Sequence, residues 1–155
     1  MLARPLRLPS LATGADCPVS HARSLSPNEG LYTTNMFGDG PLYPLPFYFG
    51  PGTTLRLQDK SPGPDGLYET KVVWVSRGGY NGPAMIRVGR LDAAGRGHVR
   101  LLYDPAASRD DSVIFTVPED PTNWPSTTSI PAPGCYAYQV DGLTFTEIIV
   151  FRVVA

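Results

Sequence analysis

The sequence is poor in charge, and the charges it has nearly cancel. Charged residues make up 17% of the chain and the formal net charge is -1, whereas an average globular domain carries about 25% charged residues. Proteins that bind nucleic acid or anionic membranes by electrostatic attraction need a basic surface or a basic stretch. The composition therefore argues against both kinds of partner.

Long apolar runs are also missing. No stretch approaches the ~20 consecutive apolar residues that a membrane-spanning helix needs, so we expect no membrane span. The first nine residues carry arginines and leucines, but Pro5 and Pro9 interrupt them, and they lack the continuous apolar core of a signal peptide. We expect either a cytoplasmic protein or an exported one whose signal peptide is absent from this sequence.

The residues that usually carry catalysis are scarce. His21 and His98 are the only histidines, and no Gly-x-Ser-x-Gly motif accompanies them, so a Ser-His-Asp triad is not expected. A blue-copper site needs two histidines beside a cysteine, and Cys135 has no histidine near it in sequence. We expect no catalytic residue, no cofactor and no metal centre.

Carboxylates gather in one part of the chain without a recognisable spacing. Paired carboxylates can hydrolyse glycosides, but this part contains no Asp-x-Asp-x-Asp-Gly run of the kind that EF-hand loops use for calcium. A solvated acidic loop is the preferred interpretation, and a weak calcium site in the loop Asp104–Asp111 is the open alternative. The residues concerned are Asp104, Asp110, Asp111, Glu119 and Asp120.

Only two cysteines are present, Cys17 and Cys135, and they lie 118 positions apart. This spacing excludes a Cys-x-x-Cys redox or zinc motif. The residues alone leave two alternatives open, a single long-range disulfide or two inert thiols in the core. A disulfide that closes a loop of this length would contribute on the order of 4 to 5 kcal/mol to stability.

What the chain does contain is a series of short runs rich in β-branched and aromatic residues, separated by turn signals. There are 16 glycines and 17 prolines, and no convincing amphipathic helix. The pattern predicts an all-β fold, an antiparallel β-sandwich of seven or eight strands. Residues 1–30 are predicted to form an extended N-terminal arm and residues 31–155 the sandwich domain. The proline-rich stretch 118–133 is predicted to be mainly a connection.

The clearest local signal is a C-terminal hairpin. Asp141-Gly142 separates two β-rich runs and is typical of a two-residue type I′ turn. Such a turn would place Val140 opposite Leu143, with Ala137 on the other face. Because neither face is cleanly polar, we expect one face to enter the core and the other to be covered by the N-terminal arm or by a partner chain.

Several motifs occur in the order found in a group of small, uncharacterised bacterial proteins that are predicted to be exported. The chain resembles this group over most of its length. The resemblance implies export, an immunoglobulin-like sandwich and a disulfide between the two cysteines, and it brings no established activity and no catalytic residues. The motifs are Cys17-Pro18-Val19, Val73-Trp74-Val75, Gly82-Pro83, Gly89-Arg90-Leu91-Asp92 and Pro133-Gly134-Cys135-Tyr136.

Aromatic side chains are the candidates for a binding surface, because exposed aromatic rings stack on sugars and anchor protein interfaces. Most aromatic residues of the segment 43–49 are expected to fill the core. The candidate binding-surface residues are Tyr48, Tyr80 and Trp124.

Together these observations predict a non-enzymatic binding or adaptor module, extracellular or at the cell surface, with a protein or glycan surface as its partner. The alternative is self-association, as a structural subunit of an extracellular fibre or coat. In that case the N-terminal arm of one copy adds a strand to the sheet edge of the next. A hydrolase that uses the acidic loop has the least support from the residues.

Overall fold

The computed structural model describes residues 4–24, 35–45, 54–57 and 60–155, and these form an all-β protein, as the sequence predicts. The described residues contain eleven strands rather than seven or eight, because several strands are only three residues long. A 3-10 turn, Pro105–Ala107, lies between β7 and β8, and none of the described helical structure is long and apolar enough to cross a membrane. The strands are β1 (Ala22–Ser24), β2 (Asn35–Phe37), β3 (Leu42–Pro44), β4 (Thr54–Arg56), β5 (Tyr68–Ser76), β6 (Gly82–Arg90), β7 (His98–Leu101), β8 (Val113–Val117), β9 (Thr122–Ile130), β10 (Gly134–Gly142) and β11 (Thr146–Val154).

The strands form three sheets. Five strands in the order β4-β11-β10-β6-β8 make one sheet, four in the order β3-β5-β9-β7 make a second, and β1 and β2 pair as a short ribbon. The pairing of β4 with β11 is parallel, which corrects the expectation of a purely antiparallel fold. A parallel pair needs a long connection, and the intervening strands of both sheets supply it.

The two larger sheets face each other across one core. Alternating residues of β10, namely Tyr136, Tyr138 and Val140, are fully buried in this core. The Trp74 ring of β5 meets the Tyr138 ring edge to face with 4.9 Å between centroids, and the Tyr138 hydroxyl lies 2.7 Å from the Thr128 hydroxyl of β9. Burial of a large apolar side chain contributes about 1.5–3 kcal/mol, so this aromatic centre is a main source of cohesion between the sheets.

Strand β9 occupies the proline-rich stretch that the sequence suggests is a connection, so that prediction is wrong. The strand lies between β5 and β7, although Pro125 has no N–H to give to a sheet. The ladder with β7 stops where Leu101 faces Ser126, and the N–H of Leu102 just beyond it donates to the Pro125 carbonyl. The N–H and C=O of one strand residue point to the same side of the strand. The N–H that Pro125 lacks would therefore face the β7 side, at a position where β7 has already ended.

The N-terminal arm, residues 4–21, crosses the outer face of the five-stranded sheet, which is the face turned away from the core. Leu8 packs on β6 at Gly89, where an added Cβ atom would lie 2.7 Å from a leucine methyl carbon. Further along, a disulfide between Cys17 and Cys135 fastens the arm to β10. The sequence leaves open whether the N-terminal arm or a partner chain covers this face, and the structure shows the arm of the same chain on it.

A buried polar cluster lies beneath the arm. Arg87 and Gln139 are partners across the β6–β10 ladder and Asp141 lies two residues further along β10, so all three share the outer face. The Arg87 guanidinium lies 2.8 Å from the Asp141 carboxylate, which also accepts the Thr146 hydroxyl at 2.7 Å. The Gln139 amide donates both to this carboxylate and to the carbonyl of Pro5. Arm and sheet are thus joined by hydrogen bonds as well as by the disulfide.

The same cluster explains why the C-terminal hairpin does not turn where the sequence suggests. Val140 pairs with Glu147 rather than with Leu143, and the stretch 143–145 connects the two strands. Asp141 remains in the strand because its carboxylate is held by partners on both neighbouring strands. The register differs from the prediction by an even number of residues, so the faces are as predicted although the pairs are not.

Candidate functional site

An open cleft lies where both larger sheets end in an edge strand. β7 ends the four-stranded sheet and β8 ends the five-stranded one. The cleft has a volume of about 640 Å³, which is in the range of small-ligand sites. Its walls are residues 114–116 of β8, residues 123–125 of β9, the end of β7 and the β7–β8 loop. We call it the aromatic cleft.

Three aromatic rings line this cleft. The Phe115 and Trp124 rings lie 4.8 Å apart between centroids and are tilted by 46°. Trp124 is half-buried, whereas the side chain of Tyr103 is 85% exposed. Aromatic faces stack on apolar or planar groups, so Tyr103 and Trp124 offer ring surface to a ligand, whereas Phe115 is 8% exposed and belongs mainly to the core.

Strand geometry places these rings. Alternate residues of β8 point into the core, and Phe115 is the middle one of them, so its ring reaches Trp124 on the facing sheet. Tyr103 lies two residues beyond the end of β7, which stops at Leu101. The chain leaves the sheet there and carries Leu102, 43% exposed, and Tyr103 towards solvent.

The β7–β8 loop is held by its own hydrogen bonds. The N–H of Ala107 donates to the Asp104 carbonyl, which closes the 3-10 turn. The Arg109 guanidinium donates from Nη1 to the carbonyl of Ala106 at 2.8 Å and to that of Ser108 at 3.3 Å. The loop is therefore an ordered wall, and the charged group of Arg109 is engaged with the loop itself.

A second, more polar cleft of about 890 Å³ shares Leu101 and Arg109 with the first. In its wall, His98 Nδ1 lies 2.6 Å from the carbonyl oxygen of Asp110, and Arg96 on the neighbouring turn lies 3.6 Å from Asp111. Within the described ranges, no three His, Cys, Asp or Glu side chains come together as a metal site. The calcium site considered for the acidic loop therefore has no ligand cluster there.

The structure separates the three predicted surface residues. Trp124 lines the aromatic cleft, and Tyr48 lies outside the described residues. Tyr80 is only 8% exposed, which corrects its placement on the surface. Its hydroxyl donates to the Pro83 carbonyl and accepts the N–H of Leu143, so it fastens the β10–β11 turn to the start of β6.

Tyr103 is the residue of the cleft that sequence reasoning missed. It follows a run of strand-forming residues, and no turn residue marks the end of β7 before it. The end of β7 is set instead by its neighbour: β9 has Pro125 at the position where the ladder would continue. Only the pairing of these two strands, which are far apart in sequence, reveals that Tyr103 lies outside the sheet.

Glu147 is a buried carboxyl group in a different part of the molecule. It is 7% exposed, and its Oε1 accepts the N–H groups of Asp39 at 2.6 Å and Gly40 at 2.7 Å. Its Oε2 is buried and has no hydrogen-bond partner in the described part of the chain. Burial raises the pKa of Glu147 to about 7, although the two N–H groups oppose this effect. It lines neither cleft, so we connect it with stability rather than with binding.

Comparisons of the chain with protein-family models, with curated proteins and with solved structures find no match. The resemblance to small exported bacterial proteins is accordingly still an expectation.

Proposed function

We propose that the protein is an extracytoplasmic binding module without catalytic activity, and that the aromatic cleft is its binding site. The observation that carries this proposal is the 85% exposed ring of Tyr103 at a cleft that already contains Trp124 and Phe115. Tyr and Trp are enriched at the centres of protein interfaces. Leu102, which is 43% exposed, extends the apolar surface beside the cleft.

The composition of the cleft supports binding over chemistry. Neither His21 nor His98 lines it, and the guanidinium of Arg109 is engaged with loop carbonyls. General acid-base or nucleophilic catalysis needs a titratable group beside a second group that activates it. The described lining also holds the carboxylate of Asp104, but it includes no histidine and no second carboxylate that could form such a pair with it.

The Cys17–Cys135 disulfide supports the extracytoplasmic part of the proposal, because disulfides persist in oxidising compartments. We also propose that the two facing sheets form an immunoglobulin-like sandwich. Their largely antiparallel pairing and the aromatic core between them support this class, while the parallel β4–β11 edge departs from it.

The alternative, a fibre or coat subunit, requires the N-terminal arm to leave its own sheet. In the structure the arm bonds to β10 through Gln139 and through the disulfide, an arrangement that favours retention of the arm. Light scattering over a concentration series decides between the two. A stable monomer supports the binding module. Growth with concentration that disappears on removal of residues 2–15 supports the subunit.

The direct test is a binding screen of the oxidised protein against arrays of peptides, proteins and glycans. We expect Tyr103→Ala and Trp124→Ala each to weaken the interaction about tenfold or more, since interface aromatic residues carry a large share of binding energy. Leu143→Ala is the matched control, because this side chain is 56% exposed and lies in the β10–β11 turn instead. Absence of any ligand, or a ligand that both cleft variants bind normally, contradicts the proposal.

A further inference from the structure

The aromatic cleft is bordered by a free sheet edge. Among the described strands β8 pairs only with β6, and an isolated bridge to Ser108 covers just its first residue. The backbone N–H and C=O groups on the other side of β8 therefore point away from the sheet. Residues 114–116 belong to this edge and also line the cleft. A ligand in the cleft thus meets regularly spaced backbone donors and acceptors beside the aromatic rings.

The polar side chains of the cleft suit a sugar less well. Small-molecule sites direct a few polar side chains at the ligand. Asp104, Thr116 and Asn123 line the cleft, but the longest polar side chain, Arg109, already donates from its guanidinium to two carbonyls of its own loop. The regularly spaced hydrogen-bonding groups of the cleft are the N–H and C=O groups of the β8 backbone. A ligand with a peptide backbone can pair with groups of this spacing.

The two loops that flank β8 are acidic. The β7–β8 loop and the β8–β9 turn together carry five carboxylates and one basic side chain, Arg109. One of the carboxylates, Asp111, has a partner in Arg96 at 3.6 Å. A ligand with basic side chains on either side of its apolar centre is complementary to this charge. The five carboxylates are those of Asp104, Asp110, Asp111, Glu119 and Asp120.

From these three observations we propose that the cleft binds an extended polypeptide, which adds as a strand to the free edge of β8. A large apolar or aromatic side chain of this polypeptide packs on Tyr103 and Trp124, and basic side chains beside it face the acidic loops. This inference rests on the proposed function and names the partner of the same site.

The probe is a library of synthetic peptides of about ten residues, the upper end of the usual range of strand lengths. Each peptide alternates Val or Thr with polar residues, carries one central Trp or Tyr, and has Lys or Arg near both ends. Binding to the whole oxidised protein is measured by fluorescence polarisation. We expect binding that weakens with added salt and that falls about tenfold when the basic residues are replaced by Asp and Glu.

Backbone pairing is tested on the peptide, so the protein stays unaltered. The best peptide is resynthesised with a single N-methyl group at each position in turn. Only alternate N–H groups of a paired strand face the partner. We expect about a tenfold loss of affinity at every second position and less than about a twofold change at the positions between them.

The outcomes separate the two proposals. Peptide binding that Tyr103→Ala weakens, but without an alternating effect of N-methylation, leaves the binding function intact and overturns strand addition. Glycan binding in the cleft without peptide binding does the same. If nothing binds, or if Tyr103→Ala and Leu143→Ala bind equally well, the proposed function fails and the inference fails with it.

Discussion

Two apolar surfaces of the five-stranded sheet differ in whether the N-terminal arm covers them. The outer face of β6 and β10 is covered by the N-terminal arm, which packs Leu8 and Leu11 on the Cys135 side of the sheet. The cleft along β8 is left open, with Tyr103 85% exposed. Under the binding function proposed above, this open surface is the one that a partner would cover.

The charges of the two regions differ in the same way. Beneath the arm, Arg87 and Asp141 form an ion pair whose side chains are 9% and 0% exposed. At the second, more polar cleft next to the aromatic one, the side chains of Arg96 and Asp111 are 70% and 53% exposed, and exposed pairs of this kind contribute little to stability. Substitutions in the covered face should therefore change the free energy of unfolding, and substitutions at the open cleft should change the affinity for a ligand.

The largest effect on stability is expected from Asp141→Ala. The substitution leaves the Arg87 guanidinium buried without its carboxylate partner and removes the acceptor of the Gln139 amide. Breaking one side of a buried ion pair costs about 3–5 kcal/mol. We expect a loss of this size in the free energy of unfolding, measured by urea denaturation.

The control is the double variant Arg87→Met with Asp141→Leu. Buried ion pairs are often replaced by apolar residues without loss, so the double variant should regain at least half of the stability that Asp141→Ala loses. If the free energy of unfolding of Asp141→Ala lies within about 1 kcal/mol of that of the unaltered protein, the Arg87–Asp141 pair is not buried in solution. The two regions would then not differ as described.

Removal of the disulfide should produce the next largest effect. Replacement of both Cys17 and Cys135 by Ala opens the long loop that the bridge closes. We expect a loss of about 3 kcal/mol in the free energy of unfolding, the typical value for a disulfide, which lies below the roughly 4 to 5 kcal/mol of the chain-entropy model. We also expect faster proteolysis within residues 4–16. A variant with unchanged stability and unchanged proteolysis would show that the hydrogen bonds are sufficient to hold the arm without the disulfide.

A third effect is expected at Glu147, whose carboxyl group is buried like the ion pair under the arm but has no opposite charge beside it in the described part of the chain. The folded-state pKa is about 7, against 4.5 for the ordinary side chain. Between these pH values the folded protein holds a proton that the unfolded chain has released. The stabilisation is therefore fully present below about pH 4.5 and is lost as the pH rises to 7, by on the order of 2–3 kcal/mol.

Glu147→Gln isolates this contribution, because the amide keeps an oxygen for the N–H groups of Asp39 and Gly40 but does not titrate. Among the described residues, the other ionisable groups at this turn include Asp39, which faces Glu147, and His21, whose Nε2 lies 3.7 Å from Asp39. The Tyr43 hydroxyl donates to the Asp39 carbonyl and accepts from the Arg23 guanidinium. Urea denaturation at several pH values should show a decline for the unaltered protein that the variant lacks. Equal slopes for both proteins would place the titration in another group.

Sequence reasoning succeeded where the signal is local. Alternation of residues and turn signals predict the all-β class, and the two faces of β10 are as expected. The exact turn could not be found this way, because Asp141 is kept in its strand by Arg87, a residue 54 positions away. An Asp-Gly pair predicts a turn only if no distant partner holds the aspartate.

The candidate site was half predicted for the same reason. Trp124 was singled out as an aromatic residue in a stretch expected to be a loop, and it lines the cleft, although it belongs to β9. Tyr103 is exposed because β7 stops beside Pro125 of β9, and the sequence around Tyr103 carries no trace of that. Tyr80 is buried because a turn more than 60 positions later packs over it.

The smallest effect on stability is expected at the open cleft, from Tyr103→Ala. A side chain that is 85% exposed has little to lose on truncation, so the free energy of unfolding should change by less than about 0.5 kcal/mol. Leu143→Ala should change it as little. If Tyr103→Ala instead costs more than about 1 kcal/mol, the ring is covered in solution and the contrast between the two surfaces is lost. A neutral result makes this variant a clean probe, because any loss of binding then reports on contact with the ligand and not on the fold.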